Sequence, residues 1–475
     1  MPMMDPQQNK WQLFLVVSVG VFMSTLDSSM VNIALPSIMD DYHSTLATTE
    51  WVVMIYLLTI TVSLLFWGHL ADYLGRGRIY AAGMLVFGIG SFLCGMADTI
   101  HWLIFFRFCQ ALGAAMMMST GPALIKLTFP AARLGRHMGL IGMAVSVGLM
   151  TGPSLGGFII EYFSWRAIFF VTVPFGLIFC LFAFLIMPPP AGGKKPASFD
   201  WLGGLLWAAS LCLAILAVTI KPPLQFILLA AAGCGFYLFV QHEKKAPAPM
   251  LPIPLIRRRF FSMALLSALL SFTVLFSVII LMPFYLDRIL DLSPARIGLV
   301  MMAIPLGVLI VSPVAGWLSD SLGAQYISTI GLLISTAGVL LLALLPQTAS
   351  PLSVAARLAL LGFGQAMFLS PNSASVMAHI HDEFAGISAG LLATARNMGM
   401  LMGVGLAGLI FTFVFSSYTG GLDLKDFLPD HRVFFMAALR TSFLAAAAVG
   451  TLAVVVSWRR GPKEEMKHQE LQLKN

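Results

Sequence analysis

The sequence predicts an all-α polytopic membrane protein with about fourteen transmembrane helices, and three observations carry this prediction. Of the 475 residues, 59% are hydrophobic and 10% are charged, a balance that a water-soluble chain of this length does not need. Apolar stretches recur at close to the roughly 20 residues that cross a bilayer as one helix. Basic residues concentrate in every second connection between these stretches, as they do in loops on one side of a membrane.

Each apolar stretch is interpreted as one helical span, because short polar connections separate stretches of about the crossing length. In chain order, the predicted spans are residues 11–36, 51–70, 79–97, 101–125, 137–160, 165–187, 200–219, 223–241, 260–286, 296–319, 326–345, 351–378, 385–415 and 433–458. These spans leave almost no residues for a separate soluble domain.

The distribution of positive charge predicts how the spans are oriented. One set of connections holds most of the basic residues, namely Lys10, Arg76, Arg78, Lys126, Arg133, Arg136, Lys194, Lys195, Lys244, Lys245, Arg257, Arg258, Arg259 and the tail from Arg459. The opposite set begins with Asp40, Asp41 and Glu50 and carries only scattered basic residues. Since basic loops face the cytoplasm, we expect a multi-pass protein of the cell (inner) membrane with both termini cytoplasmic.

One internal repeat divides the chain. The segment Gly68–Gly75 (GHLADYLG) returns as Gly316–Gly323 (GWLSDSLG), at an offset of 248 residues. Two six-span halves alone would separate the copies by about 190 residues, so two further spans are inserted between them. The predicted organisation is a six-helix half over 1–188, two inserted helices with linkers over 189–258, a second six-helix half over 259–460 and a cytoplasmic tail over 461–475.

Four motifs lie on the first, second, fourth and fifth spans. They are Leu26–Pro36 (LDSSMVNIALP), Gly68–Arg78 (GHLADYLGRGR), Arg107–Gly113 (RFCQALG) and Gly148–Gly157 (GLMTGPSLGG). In this order they resemble motifs of the major facilitator superfamily, and with its fourteen spans the chain resembles the drug:proton antiporter family of quaternary-ammonium and multidrug exporters. The resemblance implies the major facilitator fold, two six-helix halves with two inserted helices, and proton-driven export.

Asp27 is the one acidic residue that the predicted spans place deep in an apolar stretch. A carboxylate inside a bilayer costs roughly 2.5 to 3.5 kcal/mol, so we expect it to face the bundle interior or a water cavity. A carboxylate removed from water binds a proton more readily, as a proton carrier must. We therefore expect Asp27 to couple protons or to contact substrate. Alternatively, it bonds neighbouring backbone or Asn32 and only orders its helix.

Four basic residues are predicted inside spans: Arg107, Arg357, Arg396 and Arg440. A guanidinium does not release its proton, so the role of Arg107 must be electrostatic. At about 1.5 Å per residue, Arg107 and Asp27 lie at similar predicted depths. The resemblance brings both of their spans to a central cavity, where Arg107 would tune the release of the proton by Asp27. A packing arginine bonded to a free carbonyl is the alternative. With Asn32 and Arg396, this pair makes up the predicted proton-coupling or substrate site.

The fifth span carries Gly148, Gly152 and Gly156 at every fourth position, which leaves one helix face bare for a closely packed neighbour. Pro153 removes a backbone hydrogen bond beside that face and permits a bend. Together with Gly157 these residues form the predicted antiporter motif, which we interpret as a flexible contact for motion between two states. Ordinary packing in the membrane is the alternative for the glycines.

The connection after the second span places Asp72 beside Gly75, Arg76 and Arg78 at the predicted cytoplasmic mouth. Salt bridges there would form in one state and open in the other, as those of a gating latch do. The second copy of the repeat keeps Asp320 and lacks the arginines, so we expect a weaker second latch. A solvated charge cluster is the alternative interpretation.

The predicted function is a proton-coupled secondary antiporter that exports lipophilic, cationic compounds by alternating access. An exporter or flippase of a lipid or an endogenous amphipathic metabolite is the alternative, which the single buried acid favours. A channel would need rings of polar residues, and an intramembrane enzyme would need paired acids or a nucleophile with its base. The spans show neither pattern, and the chain has no P-loop, HExxH or CxxC motif.

The expected partners are a small-molecule or lipid substrate, protons and membrane lipids. Nucleic acid is not expected, because the basic residues follow the loops of one membrane side, and a periplasmic adaptor stays open. The five cysteines lie singly in apolar stretches with no histidine cluster beside them, so we expect no metal, cofactor or disulfide.

Overall fold

A computed structural model describes residues 6–129, 131–186, 200–219, 223–245, 258–378 and 385–460, without the side chains of several residues inside helices. The predicted linker residues Lys194, Lys195 and Arg257 and the predicted tail 461–475 lie outside these ranges. Within the described ranges the chain is helical, with short connections between the helices and no strand.

The helices are numbered here in chain order. They are α1 (Pro6–Asp41), α2 (Leu46–Leu74), α3 (Arg76–Gly95), α4 (Ile100–Thr128), α5 (Ala131–Tyr162), α6 (Ala167–Ile186), α7 (Trp201–Thr219), α8 (Leu224–Glu243), α9 (Arg259–Arg288), α10 (Pro294–Met301), α11 (Ala303–Leu322), α12 (Ala324–Ala343), α13 (Pro351–Ala378), α14 (Ala385–Thr419) and α15 (Arg432–Trp458). Two short 3-10 turns, Leu424–Asp426 and Pro429–His431, lie between α14 and α15.

The helices confirm the prediction of an all-α polytopic membrane protein. In the described part of the chain, 13 helical segments are long and apolar enough to cross a membrane, and α10 and α11 together form one of them. The apolar part of α7, Trp201–Ala217, is shorter than the 13 segments. With α7 included, each predicted span corresponds to a helical segment.

Local sequence signals set where several helices begin and end. The side chain of Thr45 accepts a hydrogen bond from the backbone N–H of Thr48 and caps the start of α2, several residues before the predicted span begins. Both copies of the internal repeat end in a glycine with positive φ, 94° at Gly75 and 93° at Gly323. Glycine adopts this conformation without steric cost, so the two copies turn the chain between consecutive helices in the same way.

The chain divides into two compact units. The first comprises Met1–Met250, Pro283–Met302 and Asp423–Asp426, and the second comprises Leu251–Met282, Ala303–Leu422 and Phe427–Asn475. In the first unit, α1 packs against α5 and α6, α3 packs against α4, and α7 and α8 form a hairpin. In the second unit, α12 packs against α13 and α15, and α14 packs against α15.

Candidate functional site

The candidate site is a buried ion pair in the first unit, built around Asp27 on α1. Asp27 has no exposed surface, and apolar residues such as Leu26 and Met30 surround it on the same helix. The carboxylate Oδ2 accepts a hydrogen bond from the Nη1 of Arg107 at 2.6 Å. Arg107 itself is 1% exposed, so both charges are removed from solvent.

Gln110 closes the ion pair from the same helix as Arg107. The two residues lie three positions apart on α4, and this spacing places their side chains on one face of a helix. The Nε2 of Gln110 donates to the Oδ1 of Asp27 at 2.9 Å, and its Oε1 accepts from the Nη1 of Arg107 at 2.7 Å. Both carboxylate oxygens of Asp27 therefore have a donor.

Two further helices complete the network. From α2, the backbone carbonyl of Val52 accepts a hydrogen bond from the Nε of Arg107 at 3.1 Å. From α3, the hydroxyl oxygen of Ser91 accepts from the Nε2 of Gln110 at 2.7 Å. The guanidinium of Arg107 also lies 4.1 Å from the centre of the Tyr56 ring, a cation–π contact. The charged pair thus links α1, α2 and α4 directly, and α3 through Gln110.

The network ties protonation to helix packing. Removing one partner of a buried ion pair leaves an unpaired charge, which costs about 3 to 5 kcal/mol. A proton on Asp27 has the same consequence for Arg107, because the carboxyl loses the charge that balances the guanidinium. Protonation of Asp27 would therefore weaken a contact that joins α1 to α4. This is the property that a proton-coupled conformational change requires.

The glycines of the predicted antiporter motif pack α5 against the part of α1 that carries Asp27. A Cβ atom on Gly148 would collide with Thr25, one on Gly152 with Ser29 and one on Gly156 with Met30. The bare face predicted for the fifth span thus has α1 as its neighbour, on both sides of Asp27. Gly157 faces the backbone of α10 in the same unit, and Pro153 lies inside α5.

Two predicted site residues do not join the network. Asn32, also on α1, is buried, but its Oδ1 has no hydrogen-bond partner among the described residues, and it does not bond Asp27. Arg396 lies on α14 in the second unit, where its Nη2 donates to the Oγ of Ser373 at 2.6 Å and its guanidinium lies 5.8 Å from the centre of the Phe272 ring. Among the described residues no carboxylate pairs with Arg396, and its buried Nε has no acceptor.

The predicted gating latch is only partly described. Gly75 ends α2 and Arg76 begins α3, so the turn has the form that the motif predicts. Arg78 is exposed. The side chains of Asp72 and Asp320 lie outside the part of the structure that is described, so their predicted salt bridges remain a prediction.

Gln110 is a site residue that was not predicted, although it lies inside the fourth-span motif and three residues from Arg107. Its uncharged side chain carries no hydropathy signal, and only the spacing on one helix face points to it. Glu50 is a second such residue. It was placed at the outer end of a span, whereas the structure buries it within α2, at 3% exposure, because the Thr45 cap starts the helix earlier.

Known proteins resemble the chain along most of its length. A model of the Major Facilitator Superfamily matches residues 17–404 and 264–474. The riboflavin transporter RibZ of Clostridioides difficile (strain 630) is 33% identical over 450 residues, covering 95% of this chain and 97% of that protein. The multidrug resistance protein Stp of Mycobacterium tuberculosis (strain CDC 1551 / Oshkosh) is 31% identical over 431 residues, covering 89% and 80%.

A solved structure has the same fold. It is the crystal structure of a bacterial homolog of the human lysosomal transporter Spinster, in an inward-facing and unoccupied conformation. It is similar to this chain with a TM-score of 0.69 and 16% sequence identity, covering 95% of this chain and 97% of that one. At that identity the likeness concerns the fold alone, and it confirms the fold class predicted from the sequence.

Proposed function

We propose that this chain, which belongs to the Major Facilitator Superfamily, is a proton-coupled antiporter that exports lipophilic compounds by alternating access. The family and the relatives make it a multi-pass membrane transporter rather than an enzyme. The observation that carries the proton coupling is the ion pair of Asp27 and Arg107, buried within membrane-spanning helices. It combines one group that can bind a proton with one that cannot.

In the proposed cycle, Asp27 alternates between a carboxylate that holds Arg107 and a protonated carboxyl that does not. Release of Arg107 loosens the links among α1, α2 and α4, and the glycine face of α5 lets α1 move against it. Binding of the proton and passage of the cargo then favour opposite conformations. The Asp72 and Asp320 turns act as latches at the predicted cytoplasmic mouth in this scheme.

The cargo class follows from the relatives and from the charges of the site. One relative is named a multidrug resistance protein, which supports lipophilic compounds as cargo. Both oxygens of Asp27 are occupied in the intact pair, so a cationic cargo must compete with Arg107 for the carboxylate. A cationic cargo and a proton would then bind the same carboxylate of Asp27 in turn, as an antiporter requires. Lipophilic cations are therefore the first compounds to test.

Transport in proteoliposomes with an imposed pH gradient tests the proposal. The panel includes cationic dyes, neutral drugs, labelled lipids and riboflavin, and a protonophore collapses the gradient in matched vesicles. We expect accumulation of at least one lipophilic compound against its gradient, and its loss when the pH gradient is collapsed. Uphill transport that persists after collapse, in the absence of other ion gradients, would show that protons do not drive it.

A second candidate function is export of an endogenous amphipathic metabolite, which Arg396 favours. Its half-buried guanidinium has a hydroxyl and an aromatic ring as described neighbours, and no described carboxylate balances its charge. A planar cargo with an acidic or carbonyl group fits such a site, and one relative is named a riboflavin transporter. Arg396→Gln should then reduce transport of acceptor-bearing compounds more than that of cationic dyes. Equal losses for both classes would assign Arg396 to packing.

We also propose the orientation predicted by the basic loops, with both termini cytoplasmic in the cell membrane. Single cysteines placed at the α1–α2 connection and at the α2–α3 turn, in a cysteine-free background, test it. A membrane-impermeant maleimide added to intact cells should label only the first. Labelling of the second alone would invert the orientation.

A further inference from the structure

We propose that Glu50 is a second proton-binding carboxyl of the transport cycle, which acts in series with Asp27 and exchanges protons with the membrane side at which α2 begins. The proposal rests on the proton coupling proposed above and adds a residue to it. In this step a proton from water binds the carboxylate of Glu50 and is later released toward Asp27. Only O–H bonds form and break.

The first observation is the burial of Glu50 without a full set of partners. Glu50 lies near the start of α2, four residues after Leu46, and is 3% exposed. Its Oε1 is buried and has no hydrogen-bond partner among the described residues. A buried carboxylate without donors is costly, and binding a proton removes that cost. Glu50 is therefore placed to take up a proton.

The second observation is the charge that faces Glu50. Asp423, from the connection after α14, is the described charged group that acts on it, and the Oδ1 of Asp423 accepts from the backbone N–H of Leu46 at 3.3 Å. Two carboxyl groups therefore share the start of α2, where an ionised Glu50 would face a second negative charge. The nearby acids on α1 already have partners: Asp27 pairs with Arg107, Asp40 with Arg288 and Asp41 with Arg166.

The third observation is the position of Glu50 relative to the ion pair. Val52, whose carbonyl holds the Nε of Arg107, lies only two residues farther along α2. At about 1.5 Å per residue, the backbones of the two positions differ in height by roughly 3 Å. A charge on Glu50 is thus within one helical turn of the group that binds Arg107. The two positions belong to one stretch of helix backbone, so a displacement of α2 at Glu50 also moves the carbonyl that holds Arg107.

Tyr56 adds a polar group on the same helix. Its ring lies against Arg107, and its buried hydroxyl has no hydrogen-bond partner among the described residues. A hydroxyl can both donate and accept, so it can hand on a proton without keeping it. On α2, Tyr56 contacts Arg107, and Glu50 lies two residues before Val52.

A glutamate that is always protonated would serve only packing, and one substitution separates that role from a cycling one. Glutamine has the shape of the protonated acid and cannot ionise. If Glu50 is always protonated, Glu50→Gln should therefore leave export unchanged. If Glu50 must release its proton in each cycle, Glu50→Gln should stop uphill export. Glu50→Asp keeps the titrating group on a shorter side chain.

The experiment is uphill export in proteoliposomes with a fixed internal pH and a series of external pH values. For Glu50→Gln we expect a loss of about ten-fold or more in uphill export, with exchange of labelled for unlabelled cargo at equal pH retained. Glu50→Asp should keep export and shift its pH profile. Asp98→Asn, at an exposed acid in the α3–α4 connection, is the matched control and should match the wild type.

The outcomes separate this proposal from the function on which it rests. If the wild type shows no dependence on the pH gradient, the proposed proton coupling itself is wrong. If the wild type depends on the gradient and Glu50→Gln stays within about two-fold of it at every pH, Glu50 is a packing residue and this inference is wrong. If Glu50→Gln does not fold, Glu50→Asp tests the proposal instead. A pH profile of export that coincides with that of the wild type would then overturn it.

Discussion

Both units contain a pair of helices that approach closely through glycines at matching positions. In the first unit, Gly113 on α4 lies against the backbone of Gly83 and Phe87 on α3. In the second unit, Gly364 on α13 lies against the backbone of Gly331 and Ser335 on α12. The partner residues are four positions apart in both cases, so the two contacts share one register.

A second helix pair shows the same repetition. In each unit, two glycines four residues apart on one helix face two carbonyls four residues apart on its neighbour. In the first unit, Gly148 and Gly152 on α5 face the carbonyls of Phe22 and Leu26 on α1. In the second unit, Gly399 and Gly403 on α14 face the carbonyls of Leu269 and Thr273 on α9. In these registers Val274 takes the position of Asp27, and Leu358 takes the position of Arg107. Both replacements are buried hydrophobic residues.

The difference between the units lies in their chemistry, since the packing contacts are repeated. The second unit has two hydrophobic residues at the positions of the ion pair. The same helices carry a neutral network instead, in which Gln365 accepts from the Oγ of Ser271 at 2.9 Å and donates to its carbonyl at 3.2 Å. The close contacts fix the backbone in both units. Proton chemistry is therefore expected in the first unit alone, and four experiments test this difference between the units.

The largest effect is expected from Asp27→Asn, which should abolish uphill export in a pH gradient because the titrating group is gone. It also leaves Arg107 buried without its counter-charge, so stability should fall by about 3 to 5 kcal/mol. The double substitution Asp27→Asn/Arg107→Gln should recover much of that stability and none of the export. Thermal unfolding in detergent and vesicle transport measure the two effects. Uphill export by either variant would disprove the assignment.

Arg107→Gln should lower the maximal rate of export and change the pH at which export is fastest, because Asp27 loses its ion-pair partner. Arg107→Lys keeps a positive charge but lacks the planar guanidinium, so its maximal rate and its pH optimum should lie between those of the wild type and the glutamine variant. Rate measurements over a range of pH compare the three proteins. Optima that coincide would mean that Arg107 acts through packing or cargo contact.

Gly152→Ala and Gly403→Ala should have similar effects, because both glycines lie against a neighbouring backbone at the same register. Overpacking of this kind costs about 1 to 3 kcal/mol, so unfolding of both variants should occur at lower temperature. The transport rate should fall in both, while its dependence on the pH gradient is retained. A loss confined to one variant would show that the two helix contacts are not equivalent.

The smallest effect is expected from Gln365→Leu in the second unit. It removes hydrogen bonds of a neutral network, each worth about 1 kcal/mol. It leaves neutral serine groups without this partner and creates no unpaired charge. Export should keep the pH profile of the wild type. A pH profile of export displaced as far as that of Arg107→Gln would show that the second unit takes part in proton chemistry as well.

Hydropathy and charge were sufficient to predict the spans. The similar depth of Asp27 and Arg107 predicted an interaction only together with the family resemblance, which brings their two spans to one cavity. Glu50 escaped the prediction because a threonine cap extends α2 into a polar stretch, and no average over apolar residues detects a cap. The alternative in which Asp27 bonds Asn32 is not seen, since a spacing of five residues does not place two side chains on the same face of a helix, and a role of Asn32 in the site stays a prediction.

The sharing of one guanidinium nitrogen by Asp27 and Gln110 also has an electrical consequence. While the pair is intact its net charge is zero, so the voltage across the membrane exerts little force on it. A proton on Asp27 uncovers the positive charge of Arg107, and a unit charge that crosses the whole field gains about 2.3 kcal/mol per 100 mV. In the proposed cycle an inside-negative potential therefore pulls on the protonated form alone, and export can be powered by voltage even where the pH on the two sides is equal.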